Sequence, residues 1–451
     1  MKLRTKRKSI FTRIFLVLRD YCLNSSFHGL KFLAEKDRHW IERLYWIICI
    51  ALSWYACGKL MQASYEAYKN DPISFGAETN YIHWDTKFPT IAVCETKNED
   101  RIADFTDNLY GEVHDYNLDE VIKEIVWFTG SSYYTIQLCT GETPHPDCPK
   151  SNFTFYVDQI MSKCTDVFET CRWNDDEFEC CDYFLKIDTE LGACYAINTI
   201  QSRTSNPKKY PLISNRIQGP GTLKIEIKTR ANIFMLNEEE VPTLSTLQMA
   251  YFEILPNEHI RRYIAVQEIE NEKAVKDVAI ENRKCRYTDE NYLDVYEYYS
   301  YSACLVQCRK DAHFKTCNCT HHLMPNTDTS KQCNISGIEC LNNNFNHLTV
   351  VKAHWSKRAG LVCDCLPSCT ETELYVVKDE KFSSNENSVV EFSLAKLPTE
   401  RYKRRVVRGR LDLVVSMGGT AALFVGASIL SFIELIYYIT IRLIEFKGKR
   451  Y

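Results

Sequence analysis

Leu413-Val-Val-Ser-Met-Gly-Gly-Thr-Ala-Ala-Leu-Phe-Val-Gly-Ala-Ser-Ile-Leu-Ser-Phe-Ile433 is a run of 21 residues without a charge, closed by Glu434 and continued by apolar chain to Ile441. About 20 predominantly apolar residues cross a bilayer, so residues 411–441 read as a membrane span. An acidic residue inside a span costs about 2.5–3.5 kcal/mol on insertion scales. Glu434 is therefore expected to face an aqueous path, a partner helix or a cation. A second stretch near the other end, Leu44 to Gly58, holds fifteen uncharged residues. It reaches spanning length as residues 41–61 when Ile41, Leu60 and Met61 join it and Arg43 and Lys59 snorkel at its ends.

Arg13 interrupts the N-terminal apolar stretch and no small-residue cleavage site follows, so the first span is expected to insert uncleaved. Residues 1–40 carry ten Lys and Arg against three Asp and Glu, and Arg442, Lys447, Lys449 and Arg450 follow the second span. Both termini, 1–40 and 442–451, are therefore expected in the cytoplasm and residues 62–410 outside. Lys6-Arg7-Lys8 reads as the basic flank of a membrane helix rather than a nuclear signal. Ile10 to Leu18 suits either a short helix on the inner leaflet or an unstructured basic tail. The cluster Arg401, Lys403, Arg404, Arg405, Arg408 and Arg410 lies on the outer side, where a long loop translocates regardless of charge.

Of 21 cysteines, Cys22, Cys49 and Cys57 lie in or before the first apolar stretch, and the remaining eighteen lie between the spans. With the sequons at Asn152, Asn318 and Asn334, that even number places the loop in an oxidising compartment. The whole chain has 451 residues, 45% of them hydrophobic, and a net charge of −4. Those values argue against disorder and against nucleic acid as a partner.

The loop cysteines form two groups, Cys94 to Cys194 and Cys285 to Cys369. Within the cysteine-free interval between them, Thr222 to Thr229 alternates apolar and charged residues as a half-buried strand does. Val389 to Leu394 also reads as extended. Leu255 to Ile280, with Ile260, Tyr263, Ile264, Val266 and then Val275, Val278 and Ala279, is closer to helical spacing, so 222–284 is expected to mix sheet and helix. Cys317-Asn-Cys319-Thr-His321-His322 contains zinc-type ligands, but disulfides are the better reading in a glycosylatable loop, and no metal is expected. The runs Asp175-Asp176-Glu177 and Glu238-Glu239-Glu240 read as solvated faces, with acid sensing as the sharper alternative.

Several of these stretches resemble the degenerin/epithelial sodium channel family, in particular its insect pickpocket branch. Ser25-Ser-Phe-His28-Gly29-Leu-Lys31 resembles its His-Gly gating motif, and Phe88-Pro-Thr-Ile-Ala-Val-Cys94 the start of its palm. Gly418-Gly419-Thr-Ala-Ala422-Leu-Phe-Val-Gly426-Ala427-Ser428, with Glu434 beyond, looks like its pore helix, and Gly426-Ala427-Ser428 its selectivity filter. Small residues in a span would by themselves favour helix packing; their order beside Glu434 and the thumb-like cysteines reverses that preference. The second cysteine group is similar to the family's thumb at 285–369, implying Cys285–Cys369, Cys304–Cys365, Cys308–Cys363, Cys317–Cys340 and Cys319–Cys333. Cys94–Cys194 would close the palm over 94–194. The likeness assigns no partners to Cys139, Cys148, Cys164, Cys171, Cys180 and Cys181.

The fold implied is an α+β membrane protein with two transmembrane helices flanking a large disulfide-rich mixed α/β extracellular domain of palm, finger and thumb type. The function implied is that of a subunit in a homo- or heterotrimeric plasma-membrane channel, multi-pass and voltage-insensitive. It would be selective for Na+, sensitive to amiloride-type blockers and gated by an extracellular stimulus. Val415, or Ser416 on the next register, falls where side-chain bulk holds the gate open, and Ala422 at the amiloride-contact position. Asp412 at the outer end reads equally as a cation attractor or an interfacial carboxylate. The alternative is a non-conducting accessory subunit or surface receptor that needs partners for current. ATP-gated trimeric channels fit the cysteine pattern poorly. No catalytic set or phosphate loop points to an enzyme, and no cofactor is expected.

Overall fold

The computed structural model describes residues 10–79, 84–204, 207–370, 372–384 and 387–442, with side chains from residue 15 onward. Lys6-Arg7-Lys8, the Arg13 side chain, Lys447, Lys449 and Arg450 lie outside what is described. The chain divides into two compact units: Met1–Ser74, Asp277–Arg283 and Arg405–Tyr451 form one, and Phe75–Lys276 with Lys284–Arg404 the other.

In the first unit, Trp40–Asn70 is a single 31-residue helix, long and apolar enough to cross a membrane. Its apolar residues, among them Ile47, Ile48, Leu52 and Trp54, are exposed around the helix rather than gathered on one stripe, which is the pattern of a lipid-facing span. At 1.5 Å per residue it is about 46 Å long, so its final turns, beyond the expected end at Met61, exceed a hydrocarbon core of about 30 Å. The C-terminal segment is two helices, Arg410–Val425 and Ile429–Arg442, bent by 66° at Gly426-Ala427-Ser428. Together the bent pair is long and apolar enough to cross as one span.

Ile10–Asn24 is a helix, so the unstructured-tail alternative does not hold. Val17 and Tyr21 are buried, and the Tyr21 ring meets that of Tyr438 edge-on at 5.3 Å. One face of this helix is therefore packed on protein.

The second unit is built on two sheets. Thr90–Glu95 is the central strand of a five-stranded antiparallel sheet, flanked by Ala231–Leu236 and Gly192–Ile197. All six of its residues are buried because both faces are covered. Ile91 and Val93 enter a large core with Leu223, Ile225, Ile260, Ile264, Val390 and Phe392 of the six-stranded sheet. On the other face Ala92 and Cys94 pack with Ile187, Cys194 and Phe234. The helices Asn117–Val126 and Phe153–Ile160 share a third core with Leu323, Ile338, Leu341 and Leu348.

Two expectations are corrected here. The stretch from Leu255 is not helical, since Glu258–Gln267 is a strand, antiparallel to Glu373–Ser383 and parallel to Ser388–Leu394. Its buried positions are Ile260, Arg262, Ile264 and Val266. A buried arginine in an apolar slot hid the period of two. Asp379 holds it with two bonds of 2.8 and 2.7 Å, and its guanidinium lies 4.3 Å from the centre of the Phe252 ring.

The Glu238-Glu239-Glu240 run is not a solvated face. Glu238 pairs with Lys87 at 3.0 Å, and Glu240 accepts from the Tyr301 and Ser302 N–H groups at a helix start. Glu239 is 2% exposed and accepts from the Ser368 and Thr370 hydroxyls. Burial raises its pKa above the ordinary carboxylate value, against those hydrogen bonds.

Candidate functional site

A break in a helix strands the last carbonyls of the first half and the first N–H groups of the second. At membrane depth such groups need protein or water partners. Gly426 ends the helix Arg410–Val425 in the left-handed conformation, φ +72°, and its N–H returns to the Ala422 carbonyl at 3.0 Å. The Phe424 carbonyl accepts the Ser53 hydroxyl at 2.5 Å, and the Val425 carbonyl accepts the His28 N–H at 2.9 Å. Ser428 opens the next helix: its Oγ accepts from the Ser431 N–H at 3.2 Å, while Ser431 Oγ accepts from the Ser428 N–H at 3.0 Å. Gly426 and Ala427 are left between the two helical ladders, with their carbonyls outside both.

His28 sits directly over the break. A Cβ on Gly426 would come within 2.6 Å of the His28 ring, so only glycine admits that contact. Gly29, at φ +85°, turns the chain into the short helix Leu30–Ala34, and a Cβ there would meet Ile50 at 2.9 Å. Phe32 stacks on Trp46 at 4.2 Å, fixing the segment to the first long helix. The His-Gly pair and the Gly-Ala-Ser element, almost 400 residues apart, thus form one site.

Serines that the sequence reading did not single out complete it. The Ser26 hydroxyl lies 2.7 Å from that of buried Ser431 and donates to Glu434 at 3.2 Å. Arg442 and Asp20 close the far end of the bent pair with an ion pair of 3.1 Å. No local pattern announces these contacts; the Ser428-x-x-Ser431 spacing of a capped helix start was the one readable signal.

Toward the other end, Ser416 bonds to Ser64 at 3.1 Å, which turns it toward the helix Trp40–Asn70. Val415 beside it is 65% exposed. Ala422 is exposed, and a Cβ on Gly418 or Gly419 would meet nothing within 4 Å. Within this chain these glycines are therefore not used for close helix packing. Asp412 accepts the Gly409 N–H at 2.9 Å and caps the helix. Part of the basic cluster is likewise structural. Arg401 pairs with Glu268, Arg404 donates to the Cys369 carbonyl, and Arg408 donates to the Asp71 carbonyl.

The loop cysteines form nine disulfides. Six are the pairs that the resemblance implies: Cys94–Cys194, Cys285–Cys369, Cys304–Cys365, Cys308–Cys363, Cys317–Cys340 and Cys319–Cys333. The other three are Cys139–Cys148, Cys164–Cys181 and Cys171–Cys180. Cys317 and Cys319, held in disulfides, have no thiolate to offer a zinc ion. The adjoining histidines are buried; His322 Nε2 bonds to the Ile125 carbonyl at 2.8 Å, and burial pushes the His322 pKa down to about 4. Asn152, Asn318 and Asn334 are all exposed.

The family model described as amiloride-sensitive sodium channel matches residues 21–438. Sodium channel protein Nach of Drosophila ananassae is 24% identical over 447 residues, 94% of this chain and 86% of its own length. Pickpocket protein 19 of Drosophila melanogaster is 26% identical over 313 residues, 61% of this chain and 60% of its own. Acid-sensing ion channel 4 of Rattus norvegicus is 30% identical over 167 residues, 33% of this chain and 30% of its own. A match spanning both the His-Gly segment and the broken helix makes this chain a member of the amiloride-sensitive sodium channel family, a cation channel subunit of the plasma membrane rather than an enzyme.

Proposed function

We propose that this chain is a subunit of a trimeric, voltage-insensitive, sodium-selective and amiloride-sensitive channel opened by an extracellular stimulus, with two spans and both termini in the cytoplasm. The observation that carries the reading is the break at Gly426-Ala427-Ser428. An ion entering a narrow pore exchanges hydration for carbonyl and hydroxyl oxygens, and Gly426 and Ala427 offer carbonyls outside any helical ladder, with the Ser428 hydroxyl beside them. Glu434 supplies negative charge beyond the constriction, Val415 sets the gate and Ala422 the blocker contact. His28 and Gly29 brace the filter from the cytoplasmic side. Two spans cannot enclose a pore, so three copies, or this chain with related subunits, surround the axis, and Na+ is the permeant ion.

The test is expression of the full chain alone in oocytes under voltage clamp. An inward current that disappears when Na+ is replaced by a large organic cation, and that amiloride blocks, is the expected result. Surface-labelled protein without current would turn the assignment to an accessory subunit.

A further inference from the structure

Residues 350–361, Val-Val-Lys-Ala-His-Trp-Ser-Lys-Arg-Ala-Gly-Leu, form a closed loop in the second unit. The Leu361 N–H donates to the Val350 carbonyl at 2.7 Å and the Lys352 N–H to the Leu361 carbonyl at 2.8 Å, so the loop is cinched at its base. Directly after the base, Cys363 and Cys365 are bonded to Cys308 and Cys304 on the helix Tyr301–Cys317. Within the loop, the Ser356 N–H donates to the Ala353 carbonyl at 2.9 Å, and Lys352 Nζ donates to the Arg358 carbonyl at 2.9 Å. Trp355 occupies the tip of that turn and is 87% exposed.

An indole held in water on a braced loop gives up the burial that tryptophan ordinarily gains, about 25 cal/mol per Å2 of apolar surface. Its exposure therefore points to an occupant that arrives from outside. The surroundings say which. A tryptophan that anchors a protein interface is flanked by energetically near-neutral contacts that close over it once the partner is bound. Trp355 instead stands among His354, Lys357 and Arg358, all exposed, with Lys352 beneath; His354 is bonded to Asp364 at 2.6 Å, the one carboxylate described in contact with the loop. A flat apolar ring set among cations matches a sugar ring that carries anionic groups. The ring offers C–H faces to the indole, and its sulfates or carboxylates meet the cations.

We propose that the loop 350–361 is a docking site for an anionic polysaccharide, with Trp355 as the stacking platform and Lys357 and Arg358 as the anion contacts. The proposal rests on the reading that places this segment outside the cell; the channel current reports on that reading separately.

The test uses the full chain in detergent with heparin as the probe, measuring binding as a function of NaCl. Wild type is expected to bind at physiological salt. Trp355→Ala is expected to weaken binding about fivefold or more with an unchanged salt slope. Lys357→Gln with Arg358→Gln is expected to lower the slope of log K against log salt by about two. Lys163→Gln with Lys381→Gln, removing two exposed lysines elsewhere in the same unit, is expected to behave as wild type. Circular dichroism verifies that each variant is folded. Failure of wild type to bind, wild-type binding by Trp355→Ala, or an equal loss in the Lys163 and Lys381 control would each overturn the proposal, whether or not the channel conducts.

Discussion

The His28 backbone N–H donates to the Val425 carbonyl at 2.9 Å, and the His28 ring fills the space that a side chain on Gly426 would need. The segment before the first long helix therefore supplies a hydrogen bond that the broken helix cannot make for itself. The His-Gly pair and the Gly-Ala-Ser element are two halves of one packing arrangement.

Replacing Gly426 tests that arrangement. In Gly426→Ala the Cβ lies 2.6 Å from the ring in the present geometry, and a non-glycine residue in the left-handed region adds about 1–2 kcal/mol. Current is expected to fall more than tenfold with surface protein retained. The double variant with His28→Ala should lose less than the two single losses combined, because the clash has gone and only the backbone strain at position 426 remains. Additive losses in voltage-clamp recordings would count against the contact.

Ser26 and Ser431 are expected to act together. Each alanine variant removes the same hydroxyl contact of 2.7 Å. A double-mutant cycle on open probability should give a coupling of about 0.5–1.5 kcal/mol. A coupling of zero would mean that the hydroxyls do not interact in the working channel.

Two histidines of the second unit should answer acid with opposite signs. The Asp119 carboxylate on Nε2 at 2.7 Å raises the His114 pKa above its ordinary value, helped by the Gly111 carbonyl on Nδ1. Its stabilising term is present below the unfolded value of about 6.5 and is lost as pH rises through the folded pKa. His322 is held down to about 4 by burial. The unfolded chain therefore takes up the proton first, and stability falls by about 3 kcal/mol between about pH 6.5 and 4. Melting curves at pH 5 and pH 8 should show His114→Gln most damaging at pH 5, and His322→Gln flattening the acid loss. Equal shifts at both pH values would refute these assignments.

Arg309 and Glu190 are 1% and 0% exposed and bonded to each other, joining the turn between two strands to the helix Tyr301–Cys317. Glu190→Gln strands a buried guanidinium and is expected to cost about 3–5 kcal/mol. Arg309→Met with Glu190→Met should recover much of that loss. A single variant that melts with the wild type would show that water reaches the pair.

Several features were legible because they are local or compositional. The length of the first apolar stretch announced a span, and eighteen loop cysteines announced an oxidised domain. The strand at Thr222–Ile227 alternated as half-buried strands do, and Val389 to Leu394 read as extended within the strand Ser388–Leu394. The Glu258–Gln267 strand was misread because Arg262 occupies a buried slot through a partner, Asp379, that lies 117 residues away. Glu239 was misread for the same reason: burial in a triplet of glutamates depends on hydroxyls at Ser368 and Thr370.

Composition and spacing by themselves determined that this chain has membrane-length apolar segments around a disulfide-bonded domain, because chain length, charge and cysteine count act wherever the residues end up. Only the tertiary structure decided which side of the second segment faces Trp40–Asn70, how its stranded carbonyls are satisfied, and that Ser26 reaches Glu434. Those contacts join residues some 370 to 410 positions apart. A hydrogen bond across such a separation leaves no periodicity in the sequence, since it depends on where the packed helices bring the two groups.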